Sequence, residues 1–122
     1  SGPTALVFRT GCTYRQRLEQ VLTEFGWPST EDLDGFPEGF EFANDNTLEE
    51  QAEFFIAALN NMVEWDTVRL AFVWNLNYGP QAGYDPNNDN VPYSLIGPGT
   101  TFRPAFDAIR DWQADYEESL SE

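Results

Sequence analysis

One carboxylate stands out for its setting. Glu24 lies in Leu22-Thr23-Glu24-Phe25-Gly26-Trp27-Pro28, between an apolar run and a Gly-Trp-Pro turn. If Leu22 and Phe25 belong to a buried strand, Glu24 falls near its end, where core gives way to the rim of a site. A second stretch, Phe72-Val73-Trp74-Asn75-Leu76-Asn77-Tyr78-Gly79, closes another apolar run with an indole, two amides and a phenol. Sugar rings present flat faces of C–H bonds that pack on indole, while side chains such as Asn75 and Asn77 hydrogen-bond hydroxyls. Trp27, Trp74 and Tyr78 supply aromatic walls. The chain has no histidine and one cysteine, Cys12. Acid–base chemistry therefore falls to carboxylates or tyrosine, and a disulfide framework and most zinc sites are excluded. This chemistry requires no cofactor. Asp85, Asn87 and Asp89 alternate as in a calcium loop, but Asn90 stands where that loop needs glycine and Ile96 where it needs a bidentate glutamate, so turn chemistry is the better account and no metal is expected.

The elements that must position these groups follow from periodicity. Val21, Leu22 and Phe25 before Gly26-Trp27-Pro28 read as a short, mostly buried strand ending in a loop. The breaker-rich segment from Ser29 to Asn46 is a long loop, and loops of that length in compact domains are usually functional or disordered. Thr47-Leu48-Glu49-Glu50 matches a capping box, so a helix starts there. Its apolar positions Leu48, Ala52, Phe55, Ile56, Leu59, Met62 and Val63 recur at spacings of three and four. Val68 to Trp74 is nearly continuously apolar, as in a parallel strand covered on both faces. A second long loop leads to a final amphipathic helix, with Pro104 in its first turn and Phe102, Ala105, Phe106, Ile109, Trp112 and Tyr116 as its apolar face. Residues 13–20 favour a short helix or turn by propensity.

Composition sets the outer bounds. The 122 residues are 41% apolar and 16% aromatic, enough for one domain with a core. Acidic residues number 21 against six basic ones, all arginine, for a net charge of −15. That field repels phosphate backbones and anionic lipid, so neither nucleic acid nor membrane is an expected partner. No run approaches the roughly 18 apolar residues needed to cross a bilayer. The acid-rich surface suits a salty medium, such as an extracellular one.

With strand, long loop, helix, strand, long loop, helix in order, both long loops fall on one carboxyl-end face. In (β/α)8 barrels the strand-to-helix loops on that face build the active site. The stretches LTEFGWPS and FVWNLNYG resemble the end of retaining glycoside hydrolases in the large (β/α)8 clan that includes endo-glucanases, β-xylosidases and β-1,3-glucanases. The resemblance spans roughly residues 18 to 116, including the closing stretch YSLIGPGTTFRPAFDAIRDW. In that clan the seventh strand ends with the nucleophilic glutamate, commonly in a Thr-Glu-x-Gly-Trp setting, which here falls on Glu24. The eighth commonly ends with an aromatic that floors the sugar subsite, here Trp74. The resemblance thus implies an α/β chain forming the last two βα units of an incomplete TIM barrel, with 1–20 as a preceding helix or loop and 21–66 and 67–122 as the two units.

A retaining glycosidase needs two carboxyl groups about 5–5.5 Å apart, one attacking the anomeric carbon and one protonating the leaving oxygen. The clan's acid/base glutamate typically follows an asparagine at the end of the fourth strand, and this sequence contains no Asn-Glu dipeptide. The resemblance therefore implies half of the catalytic pair, a chain inactive alone, and a partner in the missing part of the barrel or in self-association through an open strand edge. The alternative is a non-catalytic carbohydrate-binding or interaction module that keeps the aromatics.

Overall fold

The computed structural model describes residues 4–7, 20–85 and 87–121. Strand β1 (Thr4–Val7) precedes β2 (Gln20–Phe25), a one-turn helix α1 (Glu41–Asn44), helix α2 (Leu48–Trp65), strand β3 (Val68–Val73) and a second one-turn helix α3 (Gly79–Ala82). A 3-10 turn at Val91–Tyr93 leads to the hairpin of β4 (Ile96–Gly97) and β5 (Thr101–Phe102), and α4 (Pro104–Leu120) follows.

The main sheet has the order β1-β3-β2, with β2 parallel and β1 antiparallel to β3. Strand β1 differs from the helix or loop expected over 1–20. Its Ala5-Leu6-Val7 run pairs with the edge of β3 away from β2, in register from Thr4↔Val73 to Val7↔Leu70. Leu6 is buried in the core. Apart from Gln20, where β2 begins, the helix or turn expected over 13–20 lies outside the described residues.

Helix α2 starts as its capping box dictates. The Glu50 N–H donates to Thr47 Oγ1 (3.0 Å) and the Thr47 N–H donates to Glu50 Oε1 (3.0 Å). It stops at Asp66, which takes the left-handed conformation (φ 56°) that Asp tolerates better than most residues. The face bearing Ala52, Phe55, Leu59 and Met62 is buried, whereas Val63, expected on that face, is exposed. Helix α4 packs beside α2 through Ala105 and Ile109, and the Trp112 indole reaches across to donate to Asn60 Oδ1 (2.8 Å). Phe102 is not part of this helical face. Arg103 precedes proline and is held extended (ψ 156°), which bars helix before Pro104, so Phe102 sits exposed in β5, stacked on Phe106 at 4.4 Å.

Strand β3 was expected to be covered on both faces. One face is: Ala71 and Val73 join Phe55, Leu59, Met62, Ala105 and Ile109 in the core. Leu70 and Phe72, which alternate to the other face, are only half-buried and lie outside that cluster.

Candidate functional site

The carboxyl ends of β2 and β3 meet. The Trp74 N–H donates to the Phe25 carbonyl (2.9 Å), so the residue after β3 lies against the last residue of β2. Cα partners run Leu22↔Ala71 and then Phe25↔Val73, three steps on β2 against two on β3. One extra residue is therefore accommodated at Thr23-Glu24, and such bulges re-aim side chains at the rims of sheets. Gly26 then passes so close to β3 that an added Cβ would lie 2.4 Å from the Trp74 carbonyl oxygen.

A cleft of about 300 Å³ opens at this junction. Glu24, Phe25 and Gly26 form one side and Trp74 another, while Phe40 comes from the first long loop and Asp89, Asn90 and Tyr93 from the second. Glu24 is exposed and Trp74 half-buried. The indole Nε1–H of Trp74 donates to Asn90 Oδ1 (3.1 Å), which fixes the plane of the ring. The peptide between Trp74 and Asn75 is cis. Burial, and then the carboxylate of Asp89, raise the Tyr93 phenol above its ordinary value, so it faces the cleft as a neutral donor. The lining includes two carboxylates and no cation.

Of the candidate site residues Glu24, Trp27, Trp74, Asn75, Asn77 and Tyr78, Glu24 and Trp74 come together on this cleft and the other four do not line it. Asn75 is fully buried, with no free group for a sugar hydroxyl. Its Nδ2–H donates to the Asn90 carbonyl (2.9 Å) and its Oδ1 accepts from Ser94 Oγ (2.9 Å), so it secures the loop. Trp27 turns inward instead of lining the site. Its ring packs edge-on to Phe55 (5.2 Å, 87°) at the margin of the core, and its carbonyl accepts from Gln51 Nε2 (2.8 Å). Tyr78 stands behind Trp74, ring centroids 6.1 Å apart, and Asn77 is half-buried beside it in sequence.

Phe40, Asp89, Asn90 and Tyr93 are the site residues that sequence reasoning missed, Asp89 and Asn90 being legible there only as turn chemistry. All four sit between the main elements, where no helix or strand period marks a site. The loops themselves are ordered by side-chain bonds: Ser29 Oγ donates to the Asn46 carbonyl (2.7 Å) and Asn46 Nδ2 to the Pro28 carbonyl (3.0 Å). Turn chemistry accounts for the acid-and-amide run near Asp89, where Asp85 Oδ1 accepts from the Asn87 N–H (2.9 Å) and Asn88 Oδ1 from the Asn90 N–H (2.9 Å). Among the described residues no group of three metal-ligating side chains comes together, and no helix is long and apolar enough to cross a membrane.

Chemically, the arrangement offers a carboxylate next to a half-exposed indole, with a neutral phenol and a second acid opposite. A family model described as a domain of unknown function (DUF4224) matches residues 4–38, less than a third of the chain and only one edge of this cleft. No curated protein and no solved structure matches the chain.

Proposed function

We propose that the cleft binds a carbohydrate and that Glu24 is the nucleophile of a retaining glycoside hydrolase, with Trp74 as the platform under the sugar ring. A single observation carries this reading. Glu24 and Trp74 stand together at the carboxyl ends of two adjacent parallel strands and line one cleft. Its volume lies at the lower end of the roughly 300–1,000 Å³ typical of small-molecule sites, enough for one or two sugar rings. In the proposed reaction the Glu24 carboxylate attacks the anomeric carbon as the aglycone oxygen leaves with a proton from a second carboxyl group. Water then hydrolyses the glycosyl ester with retention. The proton donor is assigned to a part of the barrel outside this chain. Leu70 and Phe72, half-buried on the sheet face away from the helices, are in keeping with a missing layer.

The second reading, a carbohydrate-binding module without chemistry, is favoured by the exposure of Glu24, which leaves its carboxylate to hydroxyls or water. Titration of the chain with β-linked gluco- and xylo-oligosaccharides, followed by NMR, tests the shared part: the Trp74 indole and the amides of Glu24 to Gly26 must shift together. Glu24→Gln keeps a neutral hydrogen bond, so its affinity changes by no more than about two- to tenfold. In a chain that also carries the proton donor, a mechanism-based glycosyl fluoride must trap an adduct on Glu24. An adduct on another residue refutes the nucleophile assignment, and sugar binding with no turnover selects the binding module.

A further inference from the structure

Arg103 is the most completely engaged polar side chain among the described residues. It is 1% exposed, and each of its five N–H groups has an acceptor. Nε and Nη2 grip the Asp32 carboxylate bidentately, at 3.0 Å to Oδ2 and 2.7 Å to Oδ1. Nη1 donates to the Pro92 and Ser94 carbonyls, both at 2.8 Å, and Nη2 also donates to the Ser29 carbonyl (3.2 Å). The base of the side chain is itself fixed, since the Arg103 N–H donates to the Leu95 carbonyl (3.0 Å) and its own carbonyl accepts from the Phe106 N–H (2.9 Å). Gly97 leaves the room this requires, for a Cβ there would lie 2.4 Å from Asp32 Oδ2.

Pro92 and Ser94 flank Tyr93, a wall of the cleft, and Ser29 and Asp32 belong to the loop that follows Glu24. From Tyr93 the connection continues inward: its carbonyl accepts from the Asn75 N–H (3.4 Å), Asn75 Nδ2 holds the Asn90 carbonyl, and Asn90 Oδ1 holds the Trp74 indole. Arg103 itself does not line the cleft. We infer that Arg103, with Asp32 as its counter-ion and Gly97 as its clearance, is the positioning residue of the cleft. It clamps the two loops so that Tyr93, Asn90 and Trp74 face Glu24. A buried ion pair gives little net stability because desolvation offsets the attraction, so what this one contributes is geometry. A planar five-donor fork is needed to hold a carboxylate and three carbonyls at once, and lysine cannot do so.

The affinity arm of the test rests on the carbohydrate reading, and the spectroscopic arm does not. The full chain is compared with Arg103→Lys, with Asp32→Asn, which keeps the shape but loses the charge and turns one of the two acceptors into an NH2 donor, and with Asn60→Ala, which removes the hydrogen bond from Trp112 between α2 and α4, away from the clamp. Far-UV circular dichroism establishes folding, and NMR follows the Trp74 indole N–H and the amides of 90–94. In Arg103→Lys the indole signal moves towards that of a solvent-bonded indole and oligosaccharide affinity falls by about tenfold or more. Asp32→Asn moves the same resonances less, and Asn60→Ala moves neither quantity. Should Arg103→Lys fail to fold, the Asp32→Asn resonances decide alone. A native indole signal and native affinity in Arg103→Lys, or an equal loss in Asn60→Ala, overturns the inference. If the unaltered chain binds no sugar, the carbohydrate reading falls, and a displaced indole signal in Arg103→Lys still supports the clamp while an unmoved one removes it.

Discussion

Substituting Gly26 by alanine tests whether the two strand ends are held as closely as the site requires. The added Cβ would lie 2.4 Å from the Trp74 carbonyl oxygen, against a closest approach of 3.0 Å for real Cβ atoms, and 3.6 Å from the Phe55 ring. The obstacle is backbone, which cannot swing aside as a side chain does, so the ends of β2 and β3 must part by at least a few tenths of an ångström. Overpacking of this kind costs about 1–3 kcal/mol. One effect opposes it. Gly26 is not among the glycines with positive φ, so alanine fits its conformation and restricts the unfolded chain, which stabilises by about 0.4–1 kcal/mol. Steric crowding wins, leaving a net loss of about 1–2 kcal/mol. For a domain of this size that lowers Tm by roughly 3–10 °C. A reversible thermal melt reads the stability, and the amide shifts of Phe25 and Trp74, which share the 2.9 Å hydrogen bond beside the contact, read the displacement. A variant that melts at or above the parent with both amides unmoved refutes the claim that this approach sets the separation of Glu24 and Trp74.

Two further expectations concern the frame and the wall of the site. Thr47→Ala removes the acceptor for the Glu50 N–H at the head of α2; it costs about 1 kcal/mol and lowers the melt by a few degrees. Tyr93 ionises at higher pH than an exposed phenol, first because it is buried and second because Asp89 repels the phenolate. The neutral phenol's contribution is intact below the unfolded value of about 10 and is lost as pH climbs through the higher folded value, so the chain loses stability on the alkaline side. A spectrophotometric titration of the phenolate must show this delayed group, and Asp89→Asn must bring it down partway, since burial remains. A titration that Asp89→Asn does not alter refutes the pairing.

What could be read in the sequence divides along a physical line. Helix α2 was legible because its capping box and its 3.6-residue period are local properties, and both act within a few residues of Thr47. Strand β3 was legible as an apolar run, although not the difference between its faces, which depends on what covers Leu70 and Phe72. Phe102 was placed on the α4 face by extending a period through Arg103-Pro104, although the restriction on a residue before proline was there to stop it. Asn75 and Trp27 could not be oriented, because past the end of a strand alternation no longer applies. The loop's own hydrogen bonds decide which way a side chain turns, and those bonds join Asn75 to residues 15 and 19 positions away.

Arg103 shows the limit most clearly. In the sequence it is one arginine of six, in Thr-Phe-Arg-Pro, and nothing beside it announces burial. Its counter-ion is 71 residues away and its acceptors are main-chain carbonyls, which every residue has. Only once β2 and β3 lie parallel do their two trailing loops converge, and the convergence turns carbonyls inward where water cannot reach them. Buried acceptors must find donors, and a guanidinium with five is the side chain that satisfies several at once. The same parallel pairing that brings Glu24 beside Trp74 therefore creates the demand that Arg103 meets, and the legible pair depends for its geometry on a residue that only the fold reveals.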